Sequence, residues 1–304
     1  MGILIIFLAK CMGWLFYALP LPLKKVWIRG LALILRVKGV RAKVVRQNLQ
    51  LAYPDQPDMQ GTLFKQAYLH LANLTLEMFM LFGPLPRFAR KQVTLHGIEN
   101  WRAARSLDRG VIFLSSHVGN WEIMAATGAL QFGIDILLVT KKLKPTWLHV
   151  AIAAARKRCG VLATYEPKTF RDVLSHLRKN GTVGFVLDQY AGPPVGVRVP
   201  VFGVPVGTSN AVAILAKRTG AVVLPVKNYL NDSHQRIVEI GEAIVWEDAS
   251  ELHLEVALNT ARFASRLEKD IKQHPGQWLW IHRRFKGDLS PLRHGEWQSP
   301  RNRK

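Results

Sequence analysis

The chain has 304 residues, 49% of them hydrophobic, and its 42 Lys and Arg against 21 Asp and Glu give a formal net charge of +21. This length and apolar content exclude a disordered chain and allow one sizeable α/β domain or two smaller ones, while two cysteines, Cys11 and Cys159, form neither a disulfide framework nor a metal-binding spacing. The positive charge calls for an acidic partner: an anionic membrane, a phosphorylated substrate, an acidic carrier protein or nucleic acid. The reader and stacking signatures of nucleic-acid binding do not occur, so nucleic acid is set aside.

In chain order, Gly2 to Leu23 contains a single charge, Lys10, and is about long enough to cross a bilayer if helical, although Gly13, Pro20 and Pro22 weaken it. Residues 1–23 are expected to form a transmembrane or membrane-anchoring segment. A secretory signal fits poorly, because the positive charge follows the apolar run instead of preceding it. No acidic residue occurs before Asp55. Residues 24–54 read as a basic amphipathic interfacial region in which Trp27, Leu31, Leu33, Ile34 and Leu35 mix with cations; a solvated basic face is the alternative. Basic residues after an apolar segment place that side in the cytoplasm, so residues 55–304 are expected on the cytoplasmic face of the membrane.

Thr62 to Phe82 reads as a long helix, with Phe64, Tyr68, Leu71 and Met78 on its apolar side. Beyond Val93, strand-like runs at Val111–Leu114, Ile134–Thr140, Gly160–Tyr165, Thr182–Leu187 and Ala221–Val226 alternate with helical segments at Trp121–Leu130, Pro145–Arg158, Thr169–Lys179 and Thr208–Thr219. The alternation predicts an α/β fold, a mixed and largely parallel sheet flanked by helices, whose active site gathers at the carboxyl ends of the strands.

Two strand ends are polar in the required way. The first is Ser115 to Glu122, S-S-H-V-G-N-W-E, where Gly119 and Asn120 suit a tight turn and a helix cap. His117 and Glu122 would meet around this strand-to-helix corner. A carboxylate on one imidazole nitrogen fixes the tautomer and leaves the other to take a proton from a hydroxyl. No nucleophile stands at motif distance, which favours direct attack by a substrate hydroxyl on an acyl donor. The spacing alone is weak: 10 His and 21 acidic residues yield roughly 0.7 chance pairs. A second pair, His234 and Glu239, falls in a polar turn leading into an alternating stretch, where both are expected to be solvated.

The second strand end is Leu187-Asp188-Gln189, where Asp188 can hold a cationic group, orient a basic side chain or cap a turn. Arg156 and Arg158 lie at the end of a helix, where one can face a pocket or both can serve the helix dipole. The segment Q-W-L-W-I-H-R-R-F-K, with Arg283 and Arg284, combines aromatics with cations as a phosphate clamp or a headgroup contact would.

Together with Q-N-L-Q-L-A-Y-P, L-D-Q-Y-A-G-P-P and V-P-V-F-G-V-P-V, these segments resemble, in this order and over nearly the whole chain, the late acyltransferases of lipid A biosynthesis. That family belongs to the wider bacterial lipid acyltransferases with a His-x4-Asp/Glu signature. The resemblance implies His117 as general base with Glu122 as its partner, and Arg156 and Asp188 as supporting residues. Arg158 is an alternative to Arg156, because the upstream K-K-L-K-P-T-W departs from the usual family wording. Gln189, Arg283 and Arg284 are candidates for substrate or headgroup binding. The family further implies an inner-membrane enzyme that uses acyl carrier protein thioesters, a phosphorylated lipid A precursor usually bearing Kdo sugars as acceptor, and no metal or dissociable cofactor. The rival readings are an acyltransferase acting on a phosphatidylinositol mannoside or other glycerolipid, and a noncatalytic membrane-binding protein.

Overall fold

The computed structural model describes residues 2–292; Met1 and 293–304, at the ends of the expected 1–23 and 55–304 segments, lie outside the described residues. Pro20 divides the apolar N-terminal stretch. Helix α1 (Gly2–Ala18) ends before it and α2 (Leu21–Val37) begins after it, with Pro20 extended at φ −65°, ψ 154°. Proline lacks the N–H that a continuous helix needs, and its ring disfavours helical backbone in the residue before it. With 17 residues, α1 is about 26 Å long. Among the described residues no helix is long and apolar enough to cross a membrane.

Helix α3 (Ala42–Ala52) buries Val44, Val45 and Leu49. Helix α4 (Pro57–Met80) starts earlier than the pattern predicts, with Pro57 in its first turn, and is followed by α5 (Leu85–Lys91). The α/β part runs β1 (Val93–His96), α6 (Ile98–Arg105), β2 (Val111–Ser115), α7 (Trp121–Phe132), β3 (Ile136–Val139), α8 (Thr146–Arg158), β4 (Leu162–Thr164), α9 (Thr169–Arg178) and β5 (Thr182–Val186). It continues with β6 (Gly196–Val201), β7 (Val204–Ser209), α10 (Ala211–Thr219), β8 (Val222–Leu230), β9 (Arg236–Ile240) and α11 (Leu252–Gln273).

Among the described residues the main sheet has seven strands in the order β1-β9-β8-β2-β5-β3-β4, every pairing parallel except β8 with β9. This is the expected α/β architecture. Strand β2 lies near its centre and is buried along its length. Successive side chains of a strand point to opposite faces, and here Val111 and Phe113 join a core with Ile123, Ala125 and Ala126 of α7, while Ile112 and Leu114 join one with Val173, Val212 and Phe263. Both faces are therefore covered, which is why β2 reads as a continuous apolar run rather than an alternating one.

Thr208 and Ser209, expected to open a helix, instead end β7 of an antiparallel β6–β7 hairpin apart from the main sheet. Phe202 and Gly203 turn that hairpin with φ of 52° and 77°, the left-handed pair a two-residue connection requires.

Candidate active site

Parallel pairing of β2 with β5 builds the site. Ser115 is in register with Val186, and the Leu187 N–H donates to Ser115 O at 2.9 Å, carrying the pairing past the strand ends. Continuing the register brings His117 beside Asp188. The imidazole Nδ1 donates to Asp188 Oδ1 at 2.6 Å, and the His117 backbone N–H donates to Oδ2 at 2.7 Å. Trp278 Nε1 donates to the same Oδ2 at 2.6 Å.

Asp188 is only 7% exposed. Burial would raise its pKa, but the charge of His117 and the hydrogen bonds from the imidazole, Trp278 and the His117 backbone outweigh that and bring it down to about 2. An ionised carboxylate only accepts, so in the neutral imidazole the proton sits on Nδ1 and Nε2 carries the lone pair. Nε2 lies 3.4 Å from the Gln189 amide nitrogen. The His117 side chain keeps 13% exposure, and its ring packs in a T-shaped contact with Trp121, 4.7 Å between ring centroids.

The expected pairing of His117 with Glu122 is corrected by this geometry. Glu122 stands in the first turn of α7 and takes a bidentate contact from Arg156 in the last turn of α8: Nε to Oε2 at 3.0 Å and Nη2 to Oε1 at 2.6 Å. Both residues are buried. Burial works against the Arg156 charge, but the hydrogen bond and charge of Glu122, with Tyr165, hold its pKa above the ordinary arginine value. Two parallel charge-assisted bonds of this kind fix direction as well as distance. Arg158, the alternative, is an exposed residue whose Nη2 donates to Leu81 O at 3.0 Å.

The corner between His117 and α7 is held from behind. Gly119 has φ +69°, and a Cβ there would stand 2.1 Å from Asn228 O, so both conformation and space require glycine. Asn120 caps α7 as its position predicts, its Oδ1 accepting from Glu122 N at 3.1 Å and Ile123 N at 3.3 Å. The Glu122 and Ile123 N–H groups at the start of α7 are thus engaged by the cap. The Asn120 amide donates to Glu77 Oε2 at 3.0 Å, its backbone N–H donates to Asn228 Oδ1 at 2.8 Å, and Arg236 pairs with Glu77 and donates to the same Asn228 oxygen at 3.2 Å.

The C-terminal aromatic and basic segment belongs mainly to this framework. Gly119 N–H donates to Gln277 O at 2.9 Å and Leu279 N–H donates to His117 O at 3.2 Å, so residues 277–279 run antiparallel to 117–119 around a Val118–Trp278 bridge. Trp278 and Trp280 are buried. Arg284, a substrate-binding candidate from the sequence, is 2% exposed. It donates to Gln189 O and Gly207 O at 2.8 Å and to Thr208 Oγ1 at 2.6 Å. Burial lowers its pKa to about 10 against the attraction of Asp188. Arg284 therefore ties the β7 end to the residue after Asp188 and is not open to substrate, whereas Arg283 is exposed.

Glu77, Asn228 and Arg236 have no local sequence signature, and the aromatic segment that contains Trp278 does not by itself point to Asp188. They come from four separate places: α4 carries Glu77, the parallel pairing of β8 with β2 brings Asn228, the antiparallel return of β9 beside β8 brings Arg236, and the return of the chain after α11 brings Trp278. His234 and Glu239 are separate from this site, His234 exposed in a turn and Glu239 pairing with Lys227 at 3.3 Å. No three His, Cys, Asp or Glu side chains converge as a metal site among the described residues.

Residues 1–287 match the family model described as bacterial lipid A biosynthesis acyltransferase. The chain is 27% identical over 283 residues to a lipid A biosynthesis lauroyltransferase of Escherichia coli K12, covering 90% of this chain and 88% of that protein. It is 25% identical over 279 residues to a lipid A biosynthesis palmitoleoyltransferase of the same organism, with the same coverage of 90% and 88%. A phosphatidylinositol mannoside acyltransferase of Mycobacterium tuberculosis H37Rv is 27% identical over 207 residues, covering 67% of this chain and 63% of the relative.

Proposed function

Starting from the fact that the chain belongs to the bacterial lipid A biosynthesis acyltransferase family and is an acyltransferase, we propose that it moves a fatty acyl group from an acyl carrier protein thioester to a hydroxyl on a hydroxyacyl chain of a phosphorylated, Kdo-bearing lipid A precursor. The observation that carries the mechanism is the 2.6 Å contact between His117 Nδ1 and Asp188, which leaves Nε2 as the basic nitrogen. Nε2 takes the acceptor hydroxyl proton as the oxygen attacks the thioester carbonyl. Asp188 stabilises the imidazolium that forms. The tetrahedral intermediate collapses with cleavage of the C–S bond, and the proton passes from Nε2 to the departing carrier thiol. Glu122 and Arg156 do not share the proton in this reading. Their buried pair holds the start of α7 against the end of α8, beside the base.

The positive charge suits the acidic carrier, the phosphorylated saccharide and the anionic surface of the inner membrane. Supporting a membrane seat on the cytoplasmic face, α1 exposes Ile3, Leu4, Phe7 and Leu8, α2 exposes Leu33, Ile34 and Val37, and no acidic residue precedes Asp55. Gln189, beside His117 Nε2, and the exposed Arg283 are groups available to the acceptor.

The test is a mass-spectrometric assay of detergent-solubilised protein with acyl carrier protein thioesters and a Kdo-bearing tetraacylated precursor, beside His117→Ala. Wild type is expected to add one acyl mass, and the variant to turn over roughly 10² or more times slower while keeping its membrane attachment. Normal turnover in folded His117→Ala would sink the mechanism and favour a noncatalytic membrane-binding role. The mannoside acyltransferase relative supports a second reading, in which the same chemistry serves a phosphatidylinositol mannoside or another glycerolipid. Transfer to such an acceptor alone would replace the substrate and keep the base.

A further inference from the structure

The connection between β3 and α8 carries a cationic cluster to which the mechanism above gives no role. Lys141, Lys142, Leu143 and Lys144 are all exposed, and no acidic residue occurs between Asp135 and Glu166. Strand β3 pairs in parallel with β5, so the loop leaves the same edge of the sheet that presents His117 and Asp188.

Its other neighbour is the first helix. A Cβ on Gly2 would lie 3.0 Å from Cγ of Trp147, so α1 starts against the start of α8. Beside that junction Ile3 is 86% and Leu4 62% exposed, and on the α8 side Val150 is 59% and Leu143 37% exposed. Apolar side chains grouped beyond the few a soluble surface normally shows mark an interaction face. Exposed aliphatic groups bordered by lysines, in a stretch of chain without acids, match an anionic bilayer, where the aliphatic groups enter the headgroup boundary and the lysine stems extend to lipid phosphates.

We propose that the Lys141, Lys142 and Lys144 loop and the outer face of α8 form a contact for anionic lipid that adjoins α1 and seats the catalytic edge of the sheet against the bilayer. This rests on the membrane-facing part of the reading above and adds the orientation. With the strand ends turned to the lipid, an acceptor hydroxyl reaches His117 without its lipid leaving the membrane. An acidic protein would also answer the lysines, but it gives no reason for the exposed Ile3, Leu4 and Val150, so lipid is the occupant.

The experiment is co-sedimentation of the full chain with vesicles of phosphatidylcholine alone and of phosphatidylcholine with phosphatidylglycerol, for wild type and for Lys141→Ser, Lys142→Ser and Lys144→Ser combined. Wild type is expected to bind the anionic vesicles more tightly. The triple variant should lose about tenfold or more of that affinity at low salt, from the usual contribution of a lysine near an anionic surface, and keep its phosphatidylcholine binding. Equal binding of both proteins to anionic vesicles overturns the proposal, as does unchanged vesicle binding with a raised KM for acyl carrier protein, which would assign the loop to the carrier. Vesicle binding is read without turnover. A chain that binds as expected but acylates no acceptor therefore refutes the function proposed above and leaves this surface standing.

Discussion

His117 and Asp188 are 71 positions apart in the chain and 2.6 Å apart in the fold, joined by the parallel register of β2 with β5. Asp188 sets the tautomer by accepting the Nδ1 proton. An asparagine there can offer an N–H to Nδ1, which moves the ring proton to Nε2 and removes the base. Asp188→Asn is expected to lower kcat by roughly 10² to 10⁴ with an unchanged circular dichroism spectrum. Turnover within a few-fold of wild type would mean that another group orients the imidazole.

The same contacts make stability acid-dependent. The Asp188 carboxyl falls from 3.8 to about 2 on folding, so the unfolded chain binds the proton more readily. The stabilisation is fully present above pH 3.8 and is lost as pH falls through about 2; its size is about 2 kcal/mol. Denaturant unfolding of wild type and Asp188→Asn between pH 6 and pH 2 should show the difference between them shrinking on acidification. A constant difference would contradict the assignment.

Glu122 and Arg156 make a different prediction. Removing one partner leaves a buried charge alone, which costs about 3 to 5 kcal/mol. Glu122→Gln and Arg156→Met should each lower the melting temperature markedly. In the combined variant the loss should be smaller than the sum of the two, because the uncompensated charge is gone. Additive losses in thermal unfolding would show that the two side chains do not act as a pair.

Trp278 and Trp280 allow position to be separated from packing. Both are buried and each uses its indole N–H, Trp278 toward Asp188 at 2.6 Å and Trp280 toward Pro275 O at 2.7 Å. The Trp278 donor is one of the contacts that hold the Asp188 carboxyl low, so in Trp278→Phe the acid loss of stability should begin at higher pH than in wild type. Trp280→Phe should lose comparable stability with that acid transition in place. Identical acid transitions in denaturant unfolding of the two variants would reduce Trp278 to a packing residue.

Much of the local structure is legible in the residues. The apolar run into Ser115 announces a strand buried on both faces, Asn120 announces the cap of α7, and the alternation beyond Val93 announces the parallel sheet. Each depends on neighbours within a few positions, where hydrophobic periodicity and backbone preference are set. The hairpin over 196–209 is missed because its V-P-V-F-G-V-P-V wording is split by prolines and its last residues resemble a helix start. The N-terminal stretch is apolar enough to suggest a span, but Pro20 divides it.

The sequence by itself determined the family, the sheet class and the place of His117 at a strand end, because ordered motifs and periodicity are properties of the linear chain. Only the tertiary structure decided which carboxylate serves that histidine. Glu122 is nearer along the chain, but the start of α7 directs it to Arg156, while two adjacent parallel strands ending in register bring Asp188 to the imidazole. It likewise decided that Arg284 is a framework residue, since burial depends on what the returning chain covers and not on the charge of the side chain.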